Sequence, residues 1–264
     1  MWIKICGTTS LADAQHAANS GASAIGFVLA PSPRRVTVDQ VRAIAPHLPR
    51  NVERYGVFVD AGFDEIVTAV RDADLTGVQL HTNNDPDLPR RLRAHFAAEQ
   101  SSAPISILAV LAYSDGMEPQ IETIARHAAR YGAIDALLID SRSPIGHGGT
   151  GTRYDWQAAQ HLFRRVAPKL RLIAAGGLNP DNVAEAIRTL TPWGVDVATG
   201  VEAAPGRKDP ARVAAFIRNA RETFAGVSHG RDNRKGAESP VIPARRDLTR
   251  APLSRALHAA TRTG

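Results

Sequence analysis

The chain holds one cysteine, Cys6, at the end of the short apolar run WIKIC and directly before Gly7. As a thiolate such a residue is a base or a nucleophile; buried in a core it is a small hydrophobe. An acid, Asp140, closes another apolar run, ALLID. Cations and polar groups close others: Arg34 and Arg35 in APSPRRV, and Gln79 and His81 in GVQLH, where His81 is either a substrate contact or a satisfied rim histidine. Asp196 lies in VDVAT and is the next candidate for an acid. No HExxH and no carboxylate–histidine cluster points to a metal, so neither metal nor cofactor is expected.

These residues need elements that bring them together. Eight apolar, β-branched runs (WIKIC, AIGFVL, RYGVFV, GVQL, ISILAVL, ALLI, RLIAA and VDVAT) alternate with segments of helical period. Ser10 opens the first helix, which is expected to stop at Gly21. Thr37 and Gln40 have capping-box spacing. Asn179–Pro180 and Asp209–Pro210 predict N-cap and first-turn pairs. Eight strand–helix units over about 220 residues predict an α/β fold, a (β/α)8 TIM barrel; an open doubly wound sheet is the alternative. In such a barrel chemistry sits at the C-terminal ends of the strands, where Cys6, Arg34, Arg35, Gln79, His81 and Asp140 fall, and phosphate binds at the loops after strands seven and eight. Here those loops hold Gly176 and Gly177, and Ala198 and Thr199, so a backbone phosphate cup is expected. The loop GHGGTG, with Gly149 and Thr150, reads either as a flap over the site or as a plain connector.

Composition narrows the setting. The single cysteine excludes an intrachain disulfide and suits a reducing, cytoplasmic compartment. No run reaches the ~20 apolar residues of a membrane span, and no secretory leader is expected. Residues 225–264 carry eight Arg or Lys against three Asp or Glu, a net of +5 out of +6 for the whole chain. The basicity thus belongs to the last forty residues, which lack apolar periodicity and read as a disordered basic tail. Residues 1–224 read as the catalytic barrel domain, nearly neutral, with no groove for nucleic acid.

Seven stretches resemble the phosphoribosylanthranilate isomerases of tryptophan biosynthesis: KICG at 4–7, GFV…SPRRV at 26–36, GVFVD at 56–60, VQLH at 78–81, GGTG…DW at 148–156, AGGLNPDNV at 175–183 and VDVATGVE…G.KD at 195–209. The resemblance implies a (β/α)8 barrel and an Amadori rearrangement of N-(5-phosphoribosyl)anthranilate, with no cofactor. It implies Cys6 as general base, Asp140 as general acid, Arg34 on the anthranilate carboxylate, and Gly177 with the Ala198–Thr199 backbone on the phosphate. Gln79, His81, Gly149, Thr150, Gly176 and Asp196 are expected to line the substrate, a small molecule bound by a monomer or homodimer. The chain departs from the family pattern at Arg35, Thr82 and Ala198, and none of these removes the acid or the base. Another phosphosugar barrel isomerase, or a weakly active relative that only binds a phospholigand, is the alternative. The histidine-pathway isomerases use an aspartate where this chain has Cys6.

Overall fold

The computed structural model describes residues 1–81, 87–99, 104–113, 116, 118–141 and 154–232. Eight parallel strands form the sheet: β1 (Trp2–Cys6), β2 (Ala24–Val28), β3 (Glu53–Val59), β4 (Gly77–His81), β5 (Ser106–Ala112), β6 (Ala136–Asp140), β7 (Arg171–Ala174) and β8 (Gly194–Val197). Each pairs with the next, and β8 pairs with β1 in the register Trp2↔Gly194 to Ile5↔Val197, which closes the barrel. The expected (β/α)8 architecture is therefore the one observed. Eight helices surround it: α1 (Leu11–Asn19), α2 (Val38–Ile44), α3 (Phe63–Asp72), α4 (Leu88–Ala98), α5 (Glu118–Tyr131), α6 (Trp156–Val166), α7 (Val183–Leu190) and α8 (Pro210–Asp232). A short antiparallel hairpin, β9 (Glu202–Ala204) with β10 (Arg207–Lys208), follows β8.

The helix starts obey their local chemistry. The Ser10 hydroxyl accepts the Asp13 N–H, and Thr37 with Gln40 completes the capping box. The Asp209 carboxylate accepts the Arg212 N–H at the start of α8. Two boundaries differ from expectation. The Asn179 side chain does cap, accepting from Asp181 and Asn182 N–H while the Asn182 side chain accepts from the Asn179 N–H in return, but the continuous helix α7 begins only at Val183. The last helix runs to Asp232, past the expected end at Phe224. Its apolar stripe ends there, yet helical backbone bonding continues without one. Residues 233–264, the rest of the segment read as a tail, lie outside the described residues.

Side chains alternate across each strand with period two, so the strands sort their residues between two compartments. Ile3, Ile5, Ile25, Phe27, Val78, Leu80, Leu137, Ile139, Val195 and Val197 pack outward against buried helix residues such as Val41, Ile66, Leu92, Leu162 and Phe216. Full burial of such a side chain contributes about 1.5–3 kcal/mol. Trp2, Ala24, Tyr55, Leu108, Ala136, Leu138 and Ile173 form a second cluster inside the barrel. Its N-terminal end is plugged by polar-tipped aromatics. Trp2 Nε1–H donates to Glu53 Oε2 at 2.7 Å and Tyr55 Oη–H to Ser106 Oγ at 2.8 Å. The same alternation sends Lys4, Cys6, Gln79, His81, Asp140 and Asp196 into the lumen above this plug.

Candidate active site

Cys6 and Asp140 end β1 and β6 and are 7% and 6% exposed, so both sit at the C-terminal mouth with little access to solvent. Gly176, with φ of +76°, backs onto Asp140: a Cβ there would lie 2.6 Å from Asp140 Oδ1 and would collide with Ser141. Tyr154 stacks near Tyr113 with ring centroids 4.9 Å apart, and the Tyr113 N–H donates to the Asp140 carbonyl. Burial first, then the Asp140 and Tyr113 charges, push the Tyr154 phenol far above its ordinary range, so it stays protonated.

The other side of the mouth is cationic. Lys4 is fully buried, and its Nζ donates at 2.7 Å both to Asp196 Oδ1 and to Gln79 Oε1. Burial works against its charge, but Asp196 and Cys6 outweigh that and raise its pKa above the ordinary lysine value. Because an ammonium only donates, Gln79 must turn its oxygen to Lys4 and its amide nitrogen to His81, whose Nε2 lies 2.8 Å away. His81 Nε2 is thereby the acceptor. Each end of Gln79 has a partner within the protein, so it orients Lys4 and His81 at the mouth.

Arg34 follows β2 in a loop tied back by the Val36 N–H to the Val28 carbonyl. It is buried, whereas Arg35 is exposed. Its Nε–H and Nη2–H fork onto Glu202 at 2.8 and 2.7 Å, and these bonds raise its pKa further. Glu202 also accepts from Lys208 Nζ at 3.1 Å. Lys208 Nζ donates in addition to the carbonyls of Cys6, at 2.6 Å, and Ala198, at 3.1 Å, and joins the ends of β1 and β8. Burial opposes the Glu202 charge, but Arg34 and Lys208 hold its carboxyl below the usual range; burial is also the main cause that lowers the Lys208 pKa. Sequence reasoning singled out Arg34 but passed over Lys4, Glu202 and Lys208. The signal for Lys4 was present: it lies two residues before Cys6, between Ile3 and Ile5, and so on the same face.

The loops after β7 and β8 touch. A Cβ on Gly200 would collide with the Leu178 backbone, and Thr199–Val201 form a single 3-10 turn. Gly177 also has positive φ, at +64°, and its carbonyl accepts from Asn182 Nδ2 at 2.9 Å. Gly176 and Gly177 follow β7, and Ala198 and Thr199 follow its neighbour β8. Gly149 and Thr150 lie outside the described residues.

The closed parallel barrel with its polar groups gathered at the C-terminal mouth makes this a (β/α)8 barrel of the enzyme class. The chain belongs to the N-(5'-phosphoribosyl)anthranilate isomerase family, whose family model, described as N-(5'phosphoribosyl)anthranilate (PRA) isomerase, matches residues 3–219. The N-(5'-phosphoribosyl)anthranilate isomerase of Pelobacter propionicus is 39% identical over 222 residues, covering 84% of this chain and 96% of that protein. The crystal structure of phosphoribosyl anthranilate isomerase from Thermotoga maritima superposes with a TM-score of 0.68 at 35% identity, covering 84% of this chain and 99% of that one. A phosphoribosyl anthranilate isomerase in complex with reduced 1-(o-carboxyphenylamino)-1-deoxyribulose 5-phosphate superposes with a TM-score of 0.67 at 32% identity, with the same coverages. The family expected from KICG and the later motifs is the one the chain belongs to. Among the described residues no helix is long and apolar enough to cross a membrane, and no group of three or more His, Cys, Asp or Glu could hold a metal ion.

Proposed function

We propose that this chain isomerises N-(5-phosphoribosyl)anthranilate to 1-(o-carboxyphenylamino)-1-deoxyribulose 5-phosphate, the third step of tryptophan biosynthesis from chorismate, with Asp140 as acid and Cys6 as base. The Asp140 carboxyl gives its proton to the furanose ring oxygen as the C1′–O bond breaks. The anthranilate nitrogen lone pair then forms a C1′=N iminium. The Cys6 thiolate removes the C2′ proton, and that electron pair forms C1′=C2′ and neutralises the nitrogen. The resulting enolamine loses its O2′ proton and gains one at C1′, which leaves the C2′ ketone; every atom of the substrate is kept.

The observation that carries this reading is the placement of Cys6 and Asp140 in one lumen, on strands separated by β7 and β8, with Lys4, Arg34 and Lys208 on the thiol side. Lys4, Arg34 and Lys208 all interact electrostatically with Cys6. The cup at Gly177 and Ala198–Thr199 suits the sugar phosphate. With Nε and Nη2 of Arg34 fixed by Glu202, its Nη1 is left to meet the anthranilate carboxylate. The relative solved with reduced product supports a ligand of this class. We expect the chain to act as a monomer or homodimer on this small molecule, with no nucleic-acid or membrane partner.

Loss of anthranilate fluorescence from freshly made phosphoribosylanthranilate tests the proposal. The wild type should turn over. Cys6→Ser, Cys6→Ala and Asp140→Asn should fold with near-wild-type melting temperatures and lose roughly 10²–10⁴-fold in kcat. A folded variant with wild-type kcat assigns that role to another residue.

A further inference from the structure

One buried charge in the lumen takes no chemical step in the mechanism above. Taking an ammonium out of water costs several kcal/mol, and an apolar pair often fills such a space equally well. Lys4 is nonetheless fully buried. An ammonium has three N–H donors. Asp196 and Gln79 take two at 2.7 Å each, and Cys6, two residues on along the same face of β1, is a further charge partner of this side chain. The neighbouring strand makes room for that contact. Cys6 pairs with Gly26 in β2, and a Cβ on Gly26 would stand 2.8 Å from Cys6 Sγ, 2.9 Å from Lys4 Cε and 3.1 Å from Lys4 Nζ. Sulfur and ammonium thus converge over Gly26, which has no side chain.

The other cations near Cys6 are differently engaged. All three donors of Lys208 are spent on the Cys6 carbonyl, the Ala198 carbonyl and Glu202, and Arg34 forks onto the same Glu202. Both act on Cys6 through charge, and Lys4 differs in standing with the sulfur over Gly26. Among the described residues, Asp196 on β8 holds Lys4 and Gln79 with His81 on β4 orients it, with Asp140 on β6 in the same lumen.

We infer that Lys4 is the positioning counter-ion of the Cys6 thiolate, held against the sulfur by Asp196 and Gln79 over the gap at Gly26. This rests on the reading of Cys6 as the base and adds the residue that keeps the base charged. It also explains why β1 carries a lysine two residues before its cysteine.

Cys6 is the sole cysteine of the chain, so the rate of its alkylation by iodoacetamide reports the thiolate directly. At pH 7, Lys4→Met should slow alkylation about 10- to 100-fold, the range for loss of one opposite charge beside a titrating group. The gap should close near pH 10, where an ordinary thiol ionises unaided. Because Lys4→Met leaves Asp196 buried without its cation, Gly26→Ala serves as the second variant. It keeps every charge and presses a methyl group between sulfur and ammonium, and alkylation should slow several-fold with kcat falling and KM little changed. A wild-type alkylation rate in folded Lys4→Met overturns the inference, and if that variant does not fold, a wild-type rate in Gly26→Ala overturns it. The base assignment is read separately: if Cys6→Ser keeps full turnover while Lys4→Met alkylates slowly, the pairing stands and the base lies elsewhere.

Discussion

Replacing Glu202 with glutamine keeps the shape of the side chain and removes the charge that holds Arg34. Oε1 of Glu202 accepts from Arg34 Nε at 2.8 Å, Lys208 Nζ at 3.1 Å and the Gly206 N–H at 3.3 Å, while Oε2 accepts only from Arg34 Nη2 at 2.7 Å. Glutamine does best by leaving its oxygen at the Oε1 position, where three donors point. Its NH₂ then faces Arg34 Nη2, donor against donor. One charge-assisted bond is lost, worth about 1.5–3 kcal/mol, and two buried cations lose their counter-charge. A total near 2–4 kcal/mol lowers the melting temperature by roughly 5–15 °C for a domain of this size. The guanidinium is no longer fixed, so KM should rise about tenfold with kcat close to wild type. Acid supplies an internal control. The Glu202 carboxyl is held below its ordinary value of 4.5, so its contribution is complete above that pH and is lost as the pH falls through the lower folded value. The difference in melting temperature between wild type and Glu202→Gln should be full at pH 7 and narrow below about pH 4. Melting curves at both pH values and steady-state fluorescence kinetics check this. If Glu202→Gln melts with the wild type at pH 7 and keeps its KM, the ion cluster does not hold Arg34 and the argument fails.

Two further outcomes follow from the same geometry. Arg34→Ala should raise KM roughly 10- to 150-fold, the range for one charge-assisted bond to a carboxylate, and exposed Arg35→Ala should change it little; the reverse order in the same kinetic assay would put the clamp one residue later. Gly176→Ala places a side chain at φ of +76° and 2.6 Å from Asp140 Oδ1, so kcat should fall at least tenfold with a stability loss of about 1–3 kcal/mol, read from turnover and chemical denaturation together.

Much of this was legible along the chain. Capping acts within three or four residues, so Ser10, Thr37 and Asp209 mark their helices without help from the rest of the fold. The two-residue period of a strand says which residues share a face, and it puts Lys4 with Cys6 and Gln79 with His81 before any strand has a neighbour. Eight such units identify a barrel and its functional rim, hence Cys6 and Asp140 at strand ends. The partners were not legible. Lys4 and Asp196 are 192 residues apart, and Arg34 and Glu202 are 168 apart. They meet only because β8 closes onto β1 with Lys4 beside Asp196, and because the hairpin after β8 folds back over the loop after β2. That is why Arg34 and Gln79 could be singled out along the chain while the bonds that hold them, Arg34 to Glu202 and Lys4 to Gln79, could not. Local rules fix what a backbone segment does with its own hydrogen bonds; the hydrogen-bond and charge partners of a buried side chain depend on closure and register, which belong to the whole sheet.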